Sequence, residues 1–441
     1  MGLLDTKNGK ILSTALLLTI LLTASIPLSF AKVFPSIPLA ELGTKSIRED
    51  QKKWTIIQYN DADNELGVYA RDDIREMMAV GSDSNVNMVV LYDTWAEGAA
   101  PYYIVKGGAF RILDPDLNGE LNMGSQQTVV DLLEMVLEMF PAENYALVIW
   151  DHGDDFLGSC KDFHAPDIEE GTYDFLNHSE LAAALDDVYE RTSLRISVLA
   201  FDACICSMIE VAYDYHDLAQ YIVAAQDYEN YWSFPYDDIL QDLSQALSDI
   251  DVGEMAPMAL SHLFVDDFMA EYLMPNGCAR DGAFPAFTVV DLSQTDEFVD
   301  DLNIVTEVLT GNVQKYKGII DRARGKANTG QPMRGWDADI DLYTFVDIVG
   351  VIDGGSAYKQ AVMDIKSAWL GDEPFIYTRC SHQYSVKSAH GLGVYFPQSR
   401  GCILHNDLND PSYYFGETTS GFNVPFAGTG WGGFLREYFD L

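Results

Sequence analysis

With 441 residues, 48% of them hydrophobic, the chain is long enough to bury a large core and too apolar to be disordered. Its 68 acidic residues outweigh 27 basic ones, for a formal net charge of −41. A surface of that sign repels nucleic acid and anionic membranes and excludes both as expected partners. It suits a soluble extracellular protein in salty or calcium-bearing surroundings.

The N-terminus reads as a targeting segment. Lys7 and Lys10 precede an apolar run over 11–22, and Ser29-Phe30-Ala31 has the small-x-small form of a cleavage site. This predicts a signal peptide over 1–31, a linker over 32–51 and one catalytic domain over 52–441. An uncleaved anchor over 11–31 is the alternative, because that stretch is just long enough to span a bilayer.

In chain order, 54–59 is a short apolar strand that runs into the polar turn Asn60-Asp61-Ala62-Asp63-Asn64. A helix over 65–79, a strand over 88–92 and a hairpin around Gly107-Gly108 follow. Val129, Leu132, Leu133, Val136 and Phe140 recur at helical spacing before Pro141. The apolar run 145–150 ends in Asp151-His152-Gly153. Beyond it, 154–174 reads as an acidic loop, and Asn177 with Glu180 as a capping box. A second apolar run, 197–203, ends at Cys204, with a helix expected directly after it. Strands alternating with helices in this way predict a parallel sheet. After a strand at 221–225 the chain becomes helix-rich: 236–247, 254–272, 295–313, 342–351 and 357–370. Strands at 286–291, 375–378 and 392–396 interrupt these helices, and 325–335 is expected to be an exposed loop.

Two parallel strands ending in His152 and Cys204 would make a nucleophile–base pair at the carboxyl edge of the sheet. The N–H groups of Gly153 and Cys204 are the candidate oxyanion donors, and a helix N-terminus after Cys204 would favour its thiolate. The ordinary alternative is a buried structural thiol and a hydrogen-bonded core histidine. His390-Gly391 precedes its strand and is therefore expected at the opposite edge, and Cys206 is expected inside the helix. Cys380 and Cys402 are a conceivable disulfide pair. Residues 114–120 begin like a calcium loop, but Ser125 stands where the closing glutamate belongs, so the stretch reads as an acidic turn. No metal is required by this reading; calcium is admitted.

The His152-Gly153 and Asp202-Ala203-Cys204 pair resembles the clostripain-like cysteine peptidases. So do the stretches 59–66, 120–124 and 141–147, Glu210-Val211-Ala212-Tyr213, residues 390–397, and Trp431 with Phe434-Leu435. The resemblance implies a caspase-like αβα sandwich with a mostly parallel central sheet, α/β in class, and a helix-rich C-terminal half. It implies a secreted cysteine endopeptidase acting on protein or peptide substrates, with Cys204 as nucleophile and His152 as base and acid. It further implies cleavage after Arg or Lys, with Asp202, and by position Asp227, as substrate-binding acids, and self-processing in 154–174, where Lys161 is the basic residue. The family's glycine-rich turn is replaced here by the aromatic stretch 226–236. A catalytically silent relative that binds peptide or carbohydrate, and an amidase acting on small amides, are the competing classes.

Overall fold

The computed structural model describes residues 39–43 and, within 51–441, all but 167, 169–171, 230, 250–254, 274–285, 328–338, 372, 381–388, 398–413 and 416–423. Residues 39–441 form one compact unit. The expected targeting segment and most of the linker lie outside the described residues.

The densest apolar runs of the sequence form the centre of a ten-stranded sheet. In chain order its members are β1 (Leu39–Gly43), β2 (Lys52–Ala62), β3 (Val86–Thr94), β4 (Ala100–Val105), β5 (Gly108–Leu113), β6 (Ala142–Trp150), β9 (Ile196–Asp202), β10 (Ala219–Ala225), β11 (Ala286–Asp291) and β13 (Ile376–Cys380). They lie in the order β1-β5-β4-β3-β2-β6-β9-β10-β11-β13. The five central strands, β3-β2-β6-β9-β10, are mutually parallel, whereas β4, β11 and β13 run antiparallel to neighbours. Strands buried on both faces read as near-continuous apolar runs, which is why β6 and β9 stand out in the sequence.

Helices cover both faces. Along β2, Ile57 and Tyr59 belong to the main core cluster, which also takes in residues of α2 (Gln126–Met139) and α3 (His178–Thr192). Gln58 points the other way, where its amide donates to the Tyr236 hydroxyl at 2.8 Å. Tyr236 opens α5 (Tyr236–Ser248), which packs with α1 (Gly67–Val80) and α6 (Pro257–Tyr272). This alternation is the period-two pattern of a sheet sandwiched between helical layers. The capping box forms as read: Asn177 accepts from Glu180 N and Glu180 reaches back to Asn177 N. Ser125 caps α2 by accepting from Gln127 N.

Several expectations need correction. The 154–174 stretch is not one loop: β7 (Gly158–Asp162) and β8 (Asp174–Asn177) pair as a hairpin. Helix α4 spans Ile209–Tyr215, starting five residues beyond Cys204, so no helix N-terminus supports the thiol. Cys206 sits in the intervening turn, fully buried, rather than in the helix. The expected loop at 325–335 begins inside α8 (Val313–Ala327), which follows α7 (Thr295–Thr310); residues 328–335 lie outside the described residues. Cys380 is a free thiol that donates to Ala389 O at 3.6 Å, and Cys402 lies outside the described residues.

His390 also sits elsewhere than expected. β14 (Gly393–Tyr395) leaves the main sheet and pairs with β12 (Asp339–Asp341), just ahead of α9 (Leu342–Val349). Gly391 N–H donates to Gln226 Oε1, directly after the carboxyl end of β10. His390 is therefore at the same edge as Cys204, not the opposite one. Its ring is bonded to Asp341 at 2.9 Å and stacked on Tyr343.

The C-terminal segments are joined to the core through Glu210 of α4. Its Oε1 accepts from Tyr395 N and the Tyr414 hydroxyl, both at 3.0 Å, and burial pushes the carboxyl up to about 7. Trp431, in the C-terminal helix (Gly430–Phe439), donates to Tyr395 O at 2.9 Å. Between pH 4.5 and 7 folded Glu210 holds a proton that the unfolded chain has lost, so its contribution to stability falls as pH rises through that window. Glu210→Gln should flatten this segment of the stability–pH curve by about 3 kcal/mol, as measured by urea titrations at pH 5 and pH 8.

Candidate active site

The parallel register pairs Tyr59 with Ile149 and Asn60 with Trp150, and Trp150 with Asp202. Three chain segments therefore leave the carboxyl edge of the sheet side by side: 61–66 after β2, 151–156 after β6 and 203–208 after β9. From β2 the chain moves outward through β3, β4 and β5 on one side, then returns to β6 on the other. This is the topological switch at which open α/β sheets bind ligands.

The His152 and Cys204 backbones are in close register. A Cβ built on Gly153 would fall 2.1 Å from Cys204 O and 2.9 Å from both Cys204 N and Cys206 Sγ. Only glycine permits that approach. Asp151 anchors this strand end: its carboxylate accepts from Asn64 Nδ2 at 2.8 Å and from the backbone N–H of Lys161. Cys160 N–H donates to His152 O at 3.2 Å, so β7 braces the histidine from outside.

His152 Nε2 lies 3.1 Å from Glu65 Oε1. Burial lowers the imidazole pKa from its ordinary 6.5, with the Lys161 charge acting the same way and Glu65 opposing. The ring is thus neutral at pH 7 and able to accept a proton. An acid limb in the pH dependence of kcat/KM should have its midpoint below 6.5. Glu65→Gln removes the carboxylate that raises the pKa and should shift that limb to still lower pH, a shift read from kcat/KM between pH 4.5 and 8.

The Cys204 thiol accepts from Glu229 N–H at 3.3 Å. The turn after it is strained: Ile205, β-branched, has φ 60°. Ile205 N–H to Asp227 O and Ser207 N–H to Ala225 O hold this turn against the end of β10. A backbone donor from the 226–236 segment thus takes the place of the expected helix terminus.

Asp202 and Asp227 are both interior. Asp202 is 4% exposed; its Oδ2 accepts from the Tyr236 hydroxyl at 2.5 Å and Phe234 N at 3.4 Å, and burial raises its pKa to about 6. Asp227, 5% exposed, accepts from Tyr228 N. Glu229, absent from the sequence reading, is buried against Asp202, and burial followed by the Asp202 charge raises it well above the carboxylate range. The acids that do front a cavity lie beside these. A pocket of about 430 Å³ is walled by Tyr69, Tyr231 and Trp232, with Asp73, Glu76 and Glu271 among its acids. Tyr69 stacks on Tyr231 at 5.3 Å. Tyr69 lies four residues beyond Glu65, and Tyr231 two residues beyond Glu229, in the segments that carry the partners of His152 and Cys204.

Lys161 is paired within the β7–β8 hairpin, with Nζ 3.7 Å from Asp154. It is therefore not on an open loop. Among the described residues, Asp63, Glu120 and Asp162 bring carboxylate oxygens within 4.8 Å of one another.

The clostripain family profile matches residues 58–414. This chain belongs to the clostripain family. Clostripain of Hathewaya histolytica is 26% identical over 251 residues, 48% of this chain and 46% of clostripain, so the match spans under half of that relative. A secreted C11 cysteine protease from Bacteroides thetaiotaomicron, solved with an irreversible peptide inhibitor, superposes with a TM-score of 0.61 at 15% identity. It covers 86% of this chain and 99% of its own. An inactive zymogen C11 protease from Parabacteroides distasonis gives 0.55 at 19% identity, over 80% and 94% of the two chains. These likenesses establish the fold as the caspase-like sandwich of this clostripain-family chain. Glu65 lies inside the motif 59–66, and the register of β2 against β6 is the signal that places it beside His152.

Proposed function

We propose that the protein is a secreted cysteine endopeptidase that cleaves peptide bonds with Cys204 as nucleophile and His152 as base and acid. The observation that carries this reading is the apposition of Gly153 and Cys204 at the ends of adjacent parallel strands. In the reaction so arranged, His152 takes the thiol proton and the thiolate attacks the scissile carbonyl. The N–H groups of Gly153 and Cys204 stabilise the tetrahedral oxyanion. The amine departs with the proton from His152, and water then hydrolyses the thioester.

Recognition of Arg or Lys is the second part of the proposal. Asp202 and Asp227 are the acids that the family resemblance nominates, and Asp202 can meet a substrate cation only if Tyr236 gives up its hydrogen bond. The aromatic-walled pocket supplies the same chemistry closer to solvent, with the partly exposed Glu76 and Glu271 for the charge and ring faces for the side-chain stem. A digest of a peptide library, read by mass spectrometry, should show cleavage after Arg and Lys favoured about 10²-fold over apolar residues. Uniform cleavage after apolar residues would remove the basic specificity while leaving the peptidase reading intact.

Export follows from the leader read over 1–31 and agrees with the secreted relative from B. thetaiotaomicron. No helix among the described residues is long and apolar enough to cross a membrane. Maturation by cleavage after Lys161 fits a basic specificity and requires β7 to detach from β8 first.

A further inference from the structure

Cys206 takes no part in the reaction described above, yet its sulfur is packed against the nucleophile's own backbone. The thiol donates to Cys204 O, the carbonyl of the residue that carries the reactive sulfur, at 3.3 Å. The same sulfur is 2.9 Å from the Cβ position of Gly153, as is Cys204 N, so it sits where the two strand ends meet. Only Ile205 separates the two cysteines, at φ 60° in the turn that Asp227 O and Ala225 O hold. Two residues of extended chain span at most about 7 Å, and a turn shortens that. Disulfide-bonded cysteines have Cα atoms about 4.4–6.8 Å apart, so the spacing admits a bridge.

The two thiols differ in the way an oxidation relay requires. Cys204 is partly exposed and is the thiol that His152 deprotonates, so a small dissolved oxidant reacts with it first. Cys206 is 0% exposed, and burial, followed by the Cys204 charge, pushes its thiol well above the ordinary range. It stays protonated and closed to dissolved reagents, and becomes reactive only toward an electrophilic sulfur formed beside it.

We propose that Cys206 is the resolving cysteine of Cys204, so that a peroxide converts the active thiol into a Cys204–Cys206 disulfide from which thiols restore it. The proposal rests on the reading of Cys204 as a reactive thiolate. The thiolate attacks one peroxide oxygen, the O–O bond breaks, and Cys204 becomes a sulfenic acid while hydroxide leaves and takes a proton from solvent. Rotation about the Cys204 Cα–Cβ bond then exchanges the Glu229 N–H contact for Cys206. The Cys206 sulfur attacks the Cys204 sulfur, the S–O bond breaks, and the Cys206 proton departs with the hydroxyl as water. Both thiols are thereby oxidised, and one peroxide is reduced to two waters. A bridge across a single residue is strained, and strained disulfides are the ones that external thiols reduce readily. A sulfenic acid with no resolving thiol instead proceeds to sulfinic and sulfonic acids, which reduction by thiols does not reverse.

The full chain, reduced and freed of reductant, is treated with hydrogen peroxide, its remaining thiols are blocked with iodoacetamide, and its peptides are mapped without reduction. The expected product is a Cys204–Cys206 peptide two hydrogens lighter than the dithiol, in protein whose peptidase activity is lost and then restored by dithiothreitol. Cys206→Ala should lose activity to peroxide as the parent does but carry sulfinate or sulfonate on Cys204. The activity it recovers in dithiothreitol should be about tenfold less than the parent recovers. Mapping of the parent chain decides the question even if that variant does not fold. A second sample of reduced parent is treated with a peptidyl electrophile, which reads the nucleophile separately. Protein that takes this label on Cys204 yet forms no Cys204–Cys206 bond under peroxide overturns the proposal and leaves the peptidase reading standing. Protein that does neither overturns both. A bond from Cys204 to any other cysteine, or full recovery of folded Cys206→Ala after the same peroxide exposure, also overturns the proposal.

Discussion

Cys204→Ala should lower kcat/KM for peptide cleavage by about 10⁴- to 10⁶-fold, because loss of a covalent nucleophile removes the reaction path itself. The thiol stands at the end of a fully buried strand and accepts Glu229 N–H at 3.3 Å, so its removal leaves the sheet intact. Alanine at this half-buried position creates no large cavity, and the variant's thermal melt should match that of the parent. His152→Ala should fall into the same range without adding to it, since the two residues act as one unit. In a purified sample the Cys204→Ala chain should also run as one intact band, whereas fragments ending at Lys161 should appear only with the thiol present. The kinetic comparison needs progress curves on a Lys- or Arg-containing peptide, with the melt as the control for folding.

Gly153→Ala should be the most damaging substitution that leaves every proposed catalytic side chain in place. Its Cβ has no room: 2.1 Å from Cys204 O and 2.9 Å from Cys204 N and Cys206 Sγ. Two of these atoms are backbone, so the two strand ends must move apart rather than a side chain turning aside. A displacement on the order of 1 Å between base, nucleophile and oxyanion donors costs about 10²-fold in rate, and loss of one oxyanion donor costs about 10²- to 10³-fold. We therefore expect kcat to fall by about 10²- to 10³-fold with KM little changed, together with a stability loss of about 1–3 kcal/mol from overpacking. Steady-state kinetics and urea titration measure the two effects separately. Wild-type kcat in a folded Gly153→Ala protein would show that the close approach of these strand ends plays no part in catalysis.

What the sequence conveys and what it withholds divide along physical lines. The β6 and β9 runs are legible because both faces of those strands are buried, which leaves uninterrupted apolar residues ending in His152 and Cys204. The Asn177–Glu180 box is legible because its hydrogen bonds are local. The β7–β8 hairpin is not, since its strands are short and carry residues such as Lys161, Asp162 and Asp174 that resemble a solvated loop. Nor is the delayed start of α4: the turn at Ile205 places a β-branched residue at positive φ, against local preference, and is held by Ala225 and Asp227 from the neighbouring strand end. Long-range geometry accounts for the rest. Glu229 reaches Cys204 from 25 residues away, and His390 changes edges because β14 leaves the main sheet for β12. Asp202 is nominated as a substrate-binding acid by its position before the cysteine, yet Tyr236 and Phe234 bond to it inside the fold.

The central claim is that Cys204 is a nucleophile activated by His152. It is tested most directly by treating the protein with a peptidyl electrophile bearing Lys at its reactive end, followed by intact-mass measurement and peptide mapping. The account predicts one adduct per chain, on Cys204, formed much more slowly in His152→Ala and absent in Cys204→Ala. An adduct on Cys160, Cys206 or Cys380 instead, or a folded wild-type protein that takes up no label, would contradict it.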